Sequence, residues 1–384
     1  MHFAATLLSG LGLFAHLSTA IYTLQDDYGT NGSFFDEFNF FTGQDPTNGY
    51  VDYVNRSTAT NNGLVSTSGG SVYIGVDHSH TTTSGRQSVR LGSNKTYTHG
   101  LVILDLEHMP GSVCGTWPAF WMLGSNWPNN GEIDIIEGVN TQSTNQMTLH
   151  TSDGCSINSF GYSGSLNTDN CYVEADGQSA NSGCAIQSSS TQSYGDGFNQ
   201  AGGGVYATEW TSDAINVWFF PNSSVPYDIT HGVPNPLLWG LPAARFSGDC
   251  DIDSHFNELQ IVFDITFCGD WAGDAWSSST CASKASTCND YVSNNPSDFK
   301  QTYWEINSLK VYQESSLLDV DVDANLDVDD LLHSHIKAHV RADANEPVEK
   351  PKMQRSPYIR PGPRPTRKHR RDAFKHGHGH GHDQ

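Results

Sequence analysis

From about residue 34 to residue 313 the chain runs in short stretches of alternating apolar and polar residues, separated by clusters of Gly, Asn, Ser and Pro. Examples are "SVYIGV" (71–76), "LVILDLEH" (101–108), "AINVWFF" (214–220), "ELQIVFDITF" (258–267) and "YWEINSLKVY" (303–312). An alternation with period two sends successive side chains to opposite faces. Each stretch therefore predicts a strand with one face on a core and the other toward solvent or ligand. Many such strands, with no internal repeat, predict an all-β fold: two antiparallel sheets packed as a sandwich. A domain of about 290 residues is long for this architecture but fits it when the loops are large.

The pattern breaks at both ends. Residues 1–20 hold an apolar run from Phe3 to Leu17 followed by Ser18-Thr19-Ala20, small residues at the positions a signal peptidase reads. A run this short with polar residues behind it predicts a signal peptide rather than a membrane anchor, with a mature start at Ile21. After Gln313 the alternation stops. "LLDVDVDANLDVDDLL" is acidic, "RSPYIRPGPRPTRKHRR" is Pro-rich and basic, and "HGHGHGH" is low in complexity, so residues 314–384 are expected to be a disordered tail. A calcium loop starting at Asp321 fails, because Leu326 stands where glycine is needed and Leu332 where glutamate is needed. The His-rich end reads as a solvated tail before it reads as a metal site. The predicted catalytic body is residues 21–313.

Composition supports this division. With 37 glycines and 11% aromatic residues the chain looks like an exported β-protein, in which helix is scarce. Eight cysteines behind a signal peptide, with no CxxC pair, predict four disulfides in an oxidising compartment, although 105 pairings are possible. Cys281 and Cys288 are close enough in sequence to close a short local loop. Sequons at Asn31, Asn55, Asn94 and Asn222 fit the same route. Residues 314–384 carry 12 acidic and 12 basic residues, so the net charge of −22 belongs to residues 1–313, with 30 acidic against 8 basic. Such a body repels nucleic acid and leaves a neutral polymer such as a glycan as partner. No cofactor, metal or membrane partner is expected, and the chain is expected to act as a secreted monomer.

One segment contradicts its own strand propensity. "WPNNGEIDIIEGVN" (127–140) joins a turn, "PNNG", to an isoleucine-rich strand that carries Glu132, Asp134 and Glu137. The bare spacing E-x-D-x-x-E arises by chance in roughly one such chain in two, but carboxylates are depleted from strands, so something holds them there. With period two, Glu132 and Asp134 share a face and Glu137 points away. One extra residue between Asp134 and Glu137, a β-bulge at Ile135-Ile136, brings all three to one surface. The two glutamate Cα atoms then lie roughly 13 to 16 Å apart, and inward side chains let the carboxylates approach the roughly 5 to 5.5 Å used by retaining glycosidases. The three carboxyls should titrate together with one proton retained near neutral pH. Trp117, Trp121 and Trp127 precede the strand and Trp271 stands in "FCGDWAG"; indoles stack on the C–H faces of sugars. Trp121, Trp127 and Trp271 are the candidates for sugar contact, with Trp117 ranked below them. His150, in "MTLHT", reads from pattern alone as a surface histidine.

The stretches "GTWPAFWMLGSNWPNNGEIDIIEGVN", "MTLHTSDGC", "FCGDWAGDAW" and "YWEINSLKVYQ" resemble glycoside hydrolase family 16, in its fungal endo-1,3(4)-β-glucanase (laminarinase-type) branch, over residues 21–313. The resemblance implies a β-jelly-roll sandwich with a concave glycan-binding cleft. It also implies retaining hydrolysis of β-1,3- and mixed β-1,3/1,4-glucans in the extracellular space or cell wall. Glu132 would be nucleophile, Glu137 acid/base and Asp134 the nucleophile's helper, with Trp121, Trp127, His150 and Trp271 in the cleft. Two other functions fit the same sandwich: a cell-wall transglycosylase, which passes the intermediate to another sugar, and a lectin-like module, which needs no glutamate pair.

Overall fold

The alternating stretches form two eight-stranded sheets. The computed structural model describes residues 21–30 and 32–315. The expected leader (1–20), the sequon at Asn31 and the tail from residue 316 onward lie outside the described residues.

The first sheet runs, edge to edge, Ala244–Phe246, Ile215–Pro221, Gly204–Trp210, Gly100–His108, Tyr303–Ser315, Val72–Gly75 and Val65–Ser66, with Ile21–Asp27 paired to Tyr303–Ser315. The second runs Ser165–Thr168, Cys184–Gln187, Gln146–His150, Glu132–Glu137, Thr116–Gly124, Leu259–Phe267, Arg90–Tyr97 and Phe38–Phe41. Each of the five stretches singled out above becomes a strand of one sheet or the other. Helix is confined to short pieces, the longest among the described residues being Cys288–Asn294 with seven.

Alternation decides what the sheets bury. Leu104, Val217, Ile306 and Val311 of the first sheet meet Phe120, Ile133, Leu149, Ile261 and Phe263 of the second in one buried cluster. The fully buried Trp304 crosses the gap, its ring 5.9 Å from that of Phe263. Each such side chain stabilises the fold by about 1.5–3 kcal/mol. The opposite face of the second sheet is free of this core. It carries Gln146, Thr148 and His150 on one strand, Glu132, Asp134 and Glu137 on the next, and Ala119, Trp121 and Leu123 on the third, in register.

Four disulfides form: Cys114–Cys281, Cys155–Cys250, Cys171–Cys184 and Cys268–Cys288. The short loop expected between Cys281 and Cys288 does not. Cys114 and Cys268 stand side by side at the ends of paired strands, where Thr116 opposes Phe267 and the Cys268 N–H donates to the Gly115 carbonyl. Each takes a different partner from the 281–288 stretch, which pins that segment to both strands.

Candidate active site

The carboxylate strand begins at a turn that only glycine can finish. Gly131 has φ +77°, and a Cβ there would come within 2.4 Å of Phe256 Cδ1 and 2.6 Å of the His255 carbonyl oxygen. The strand Glu132–Glu137 then pairs on both sides, and both ladders slip between Asp134 and Glu137. Against Thr116–Gly124, Asp134 opposes Trp121 and Ile136 opposes Phe120, so Ile135 is the extra residue. The bulge lets Ile133, Ile135 and Ile136 all enter the core, each with no exposed surface. Glu132, Asp134 and Glu137 consequently share the outer face.

That face is the floor of a cleft of about 510 Å³, lined by Glu132, Glu137, His150, Trp117 and Trp271 with polar residues of the neighbouring loops. Glu132 lies at the cleft surface, where the Trp127 indole N–H donates to its Oε2. Trp127 itself is 42% exposed, so it forms a rim. Asp134 is buried between the glutamates, and its Oδ2 lies 3.3 Å from His150 Nε2. Burial pushes the Asp134 carboxyl well above the ordinary range, and the neighbouring Glu132 pushes it further. Glu137 accepts a 2.8 Å hydrogen bond from the Trp117 indole at Oε1. Its carboxyl is also held well above the ordinary range, by burial first and then by Asp134, with the Trp117 hydrogen bond opposing. The sequence reading expects one retained proton; enclosure adds to mutual repulsion, so two of the three carboxyls are pushed upward. A carboxyl that keeps its proton near neutral pH can donate it, while a second carboxylate on the same face can attack or accept.

The aromatic residues divide. Trp271 sits in the π-helical turn Gly269–Gly273 and meets Trp117 edge to face at 5.6 Å between centroids. The preceding Cys268 has φ +59° and is disulfide-bonded to Cys288. Trp117, ranked low in the sequence, is a cleft residue and hydrogen-bonds a carboxylate. Trp121, ranked higher, lies on the same face beside Asp134 but is 9% exposed and outside the lining, with the Arg90 guanidinium 4.8 Å above its ring. Its Nε1 faces Asp264 without meeting the geometry of a full hydrogen bond. Asp264 is buried, 3.8 Å from Arg90, and its carboxyl is pushed up to about 7 by burial, with Arg90 opposing. His150 is drawn in by Asp134 and is 7% exposed, so the surface reading from pattern alone gives way to the cleft position implied by resemblance.

One wall is the loop closed by Cys171–Cys184, which contributes Ser179, Asn181 and Ser182. Gly183 at its end has φ +60°, and a Cβ there would strike the Leu149 carbonyl oxygen at 2.3 Å. Sequence alone misses Asn145: its side chain accepts from the Glu137 N–H and donates to the Ile135 carbonyl, and no motif flags a loop asparagine. The Glu132, Asp134 and His150 donors lie within 4.8 Å of one another and are the one set of this kind found among the described residues. A second depression of about 300 Å³, near Asp77 and His78, has no Trp, Tyr or Phe in its lining and none of these carboxylates.

A bulged strand of three carboxylates under an indole-lined cleft on a jelly-roll sandwich defines a glycoside hydrolase. The chain belongs to glycoside hydrolase family 16: residues 38–312 match the family model described as XgeA-like, catalytic GH16 domain. It is 48% identical over 311 residues to an endo-1,3(4)-β-glucanase of Arthroderma benhamiae, covering 80% of this chain and 68% of that one. Several other curated relatives are longer, and the match spans about half their length. Among solved structures, laminarinase 16A of Phanerochaete chrysosporium, with 6-O-glucosyl-laminaritriose in donor and acceptor sites, is 44% identical with a TM-score of 0.72, covering 77% of this chain and all of that one. An elongating family 16 β-1,3-glucosyltransferase is 48% identical with a TM-score of 0.70, over 76% of this chain and all of that one.

Proposed function

We propose that the chain is a secreted endo-β-glucanase that hydrolyses β-1,3- and mixed β-1,3/1,4-glucans with retention of anomeric configuration. The observation that carries this reading is the bulge, which turns Glu132, Asp134 and Glu137 onto one indole-lined face. Glu132 attacks the anomeric carbon. Glu137, kept protonated by burial and by Asp134, gives its proton to the departing glycosidic oxygen. As Glu132 becomes an ester its negative charge disappears, the repulsion on its neighbours eases, and the Glu137 carboxylate can take a proton from the incoming water. Asp134 shapes the charge of the site from below, and His150 pairs with it. Trp127, Trp271 and Trp117 offer faces and edges to the sugar rings, while Trp121 supports the floor.

Four disulfides fit export through an oxidising compartment, the leader being residues 1–20, and exposed Asn55, Asn94 and Asn222 fit glycosylation there. No helix among the described residues is long and apolar enough to cross a membrane. The catalytic body extends two residues past the expected bound of 313, because its strand Tyr303–Ser315 pairs through Glu314 and Ser315 with the first strand, and the residues after it are a tail. A second reading, glucan elongation, is favoured by one observation: the 48% identity to an elongating family 16 β-1,3-glucosyltransferase.

Reducing-end release from laminarin, lichenan and cellulose tests the proposal. Release from the first two is expected; release from cellulose alone would sink it. Products longer than a defined starting oligosaccharide would favour elongation over hydrolysis.

A further inference from the structure

Two buried asparagines in the turn after the carboxylate strand do work that the mechanism above leaves unassigned. Where the bulge interrupts the regular ladder, the Glu137 N–H donates to Asn145 Oδ1 at 2.9 Å, and Asn145 Nδ2 donates to the Ile135 carbonyl at 2.8 Å. A carboxamide is planar and carries one acceptor and one donor, as a peptide group does, so this side chain supplies the pairing that a strand backbone would give. Asn145 is itself fixed. It has no exposed surface, its N–H donates to Ser193 Oγ, and its carbonyl accepts from the Ser188 N–H and from Gln187 Nε2.

Asn140 repeats the device on the other side. Its N–H donates to the Thr116 carbonyl, its Oδ1 accepts from the Gly115 N–H at 2.8 Å, and its Nδ2 donates to the Ala272 carbonyl at 2.9 Å. It is 3% exposed and has φ +54°, a conformation asparagine tolerates better than most residues. Gly115 lies two residues before Trp117, and Ala272 follows Trp271. The two asparagines thus reach the backbone at the acid/base, at the indole that hydrogen-bonds it, and at the second indole of the wall.

We infer that Asn145 and Asn140 are positioning residues for the reaction proposed above, on which this inference rests. Asn145 fixes the direction in which Glu137 leaves the bulge, and Asn140 fixes the Trp117–Trp271 pair against it. Neither touches the sugar. The bulge alone puts Glu137 on the correct face; the carboxamide of Asn145 sets its reach and orientation there, and a small misplacement of an acid/base lowers turnover more than binding.

The test uses the full chain with laminarin-derived oligosaccharides, well below each variant's melting temperature. Asn145→Ala should lower kcat about 100-fold with KM within about twofold. It should also move the basic limb of the kcat profile to lower pH, because a Glu137 released toward solvent loses the burial that raises it. Asn145→Asp keeps the acceptor for Glu137 N–H and loses the donor to Ile135; it should fall between, and it carries the test if the alanine variant does not fold. Asn140→Ala should raise KM more than it lowers kcat. Asn216→Ala is the control for instability, since Asn216 is buried in the other sheet, bonded to Glu209 and Arg245. The Trp117 indole N–H resonance, assigned by Trp117→Phe, should shift in Asn145→Ala whatever the turnover. An unmoved resonance, unchanged kcat and pH profile in both Asn145 variants, or an equal kcat loss in Asn216→Ala would overturn the inference. An inactive native chain, or an active Glu137→Ala, would instead remove the functional reading, leaving the resonance to judge the positioning.

Discussion

At the scale of single residues, the site separates three carboxyls that share one strand face by what surrounds each. Glu132 meets the cleft and an exposed indole, Asp134 is buried against His150, and Glu137 is enclosed beside Trp117. Removing either glutamate should lower turnover by roughly 10³-fold or more, since attack and proton transfer are both required. The two variants should then differ with azide. In Glu132→Ala, azide replaces the nucleophile from the opposite face and yields an α-glycosyl azide; in Glu137→Ala it resolves the covalent intermediate and yields a β-glycosyl azide. Swapped products would reverse the two roles. Asp264 gives a prediction on stability. Its folded carboxyl sits at about 7, raised from an ordinary value near 3.8, so the folded state favours the protonated form. The stability this contributes is fully present below the unfolded value and is lost as pH rises through 7. Urea unfolding between about pH 4 and pH 7 should show the native protein weakening. Asp264→Asn should weaken less steeply; Asp134 and Glu137, shifted the same way, keep some slope. An identical slope in both proteins would count against the burial of Asp264 as its cause.

At the scale of elements, much of the site was legible because a strand of isoleucines has no place for carboxylates unless the face is used. Period two and the spacing of Glu132, Asp134 and Glu137 demanded one extra residue, and Ile135 is that residue. The turn before the strand and the scarcity of helix were equally plain. What stayed hidden depends on contacts distant in sequence. Trp117 and Trp121 stand four apart on one strand, on the same face, and pattern cannot tell that Arg90 covers one while Trp271 stands open beside the other. The pairing of Cys281 with Cys114 and Cys288 with Cys268 follows from which strand ends meet, which spacing does not encode. His150 became legible only through resemblance, since its burial comes from Asp134. The Cys171–Cys184 loop offers an element-scale test. Replacing both cysteines with serine frees a 13-residue separation and should lower stability by about 3 kcal/mol. Because Ser179, Asn181 and Ser182 then lose their anchor, KM for long glucans should rise more than kcat falls. A kcat loss with unchanged KM would show that the wall does not hold substrate.

At the scale of the whole molecule, charge and connectivity bear on how the enzyme meets its polymer. The body carries the whole net charge of −22, which a neutral glucan does not feel and a polyanion would. The last strand among the described residues ends at Ser315 in the middle of the first sheet, on the far side of the core from the cleft sheet. Truncation after Ser315 should therefore keep turnover on soluble glucan within about twofold and leave the melting temperature of the body unchanged, as for a tail without a catalytic pair. A large loss of turnover would show that the tail contributes to the cleft. The central claim, that a one-residue bulge gathers two glutamates for a double displacement, is tested most directly by proton NMR of the first products released from laminarin, before mutarotation. The account predicts β-configured reducing ends. Release of the α-anomer would contradict it, because a single displacement by water needs the two carboxylates farther apart than a covalent mechanism allows.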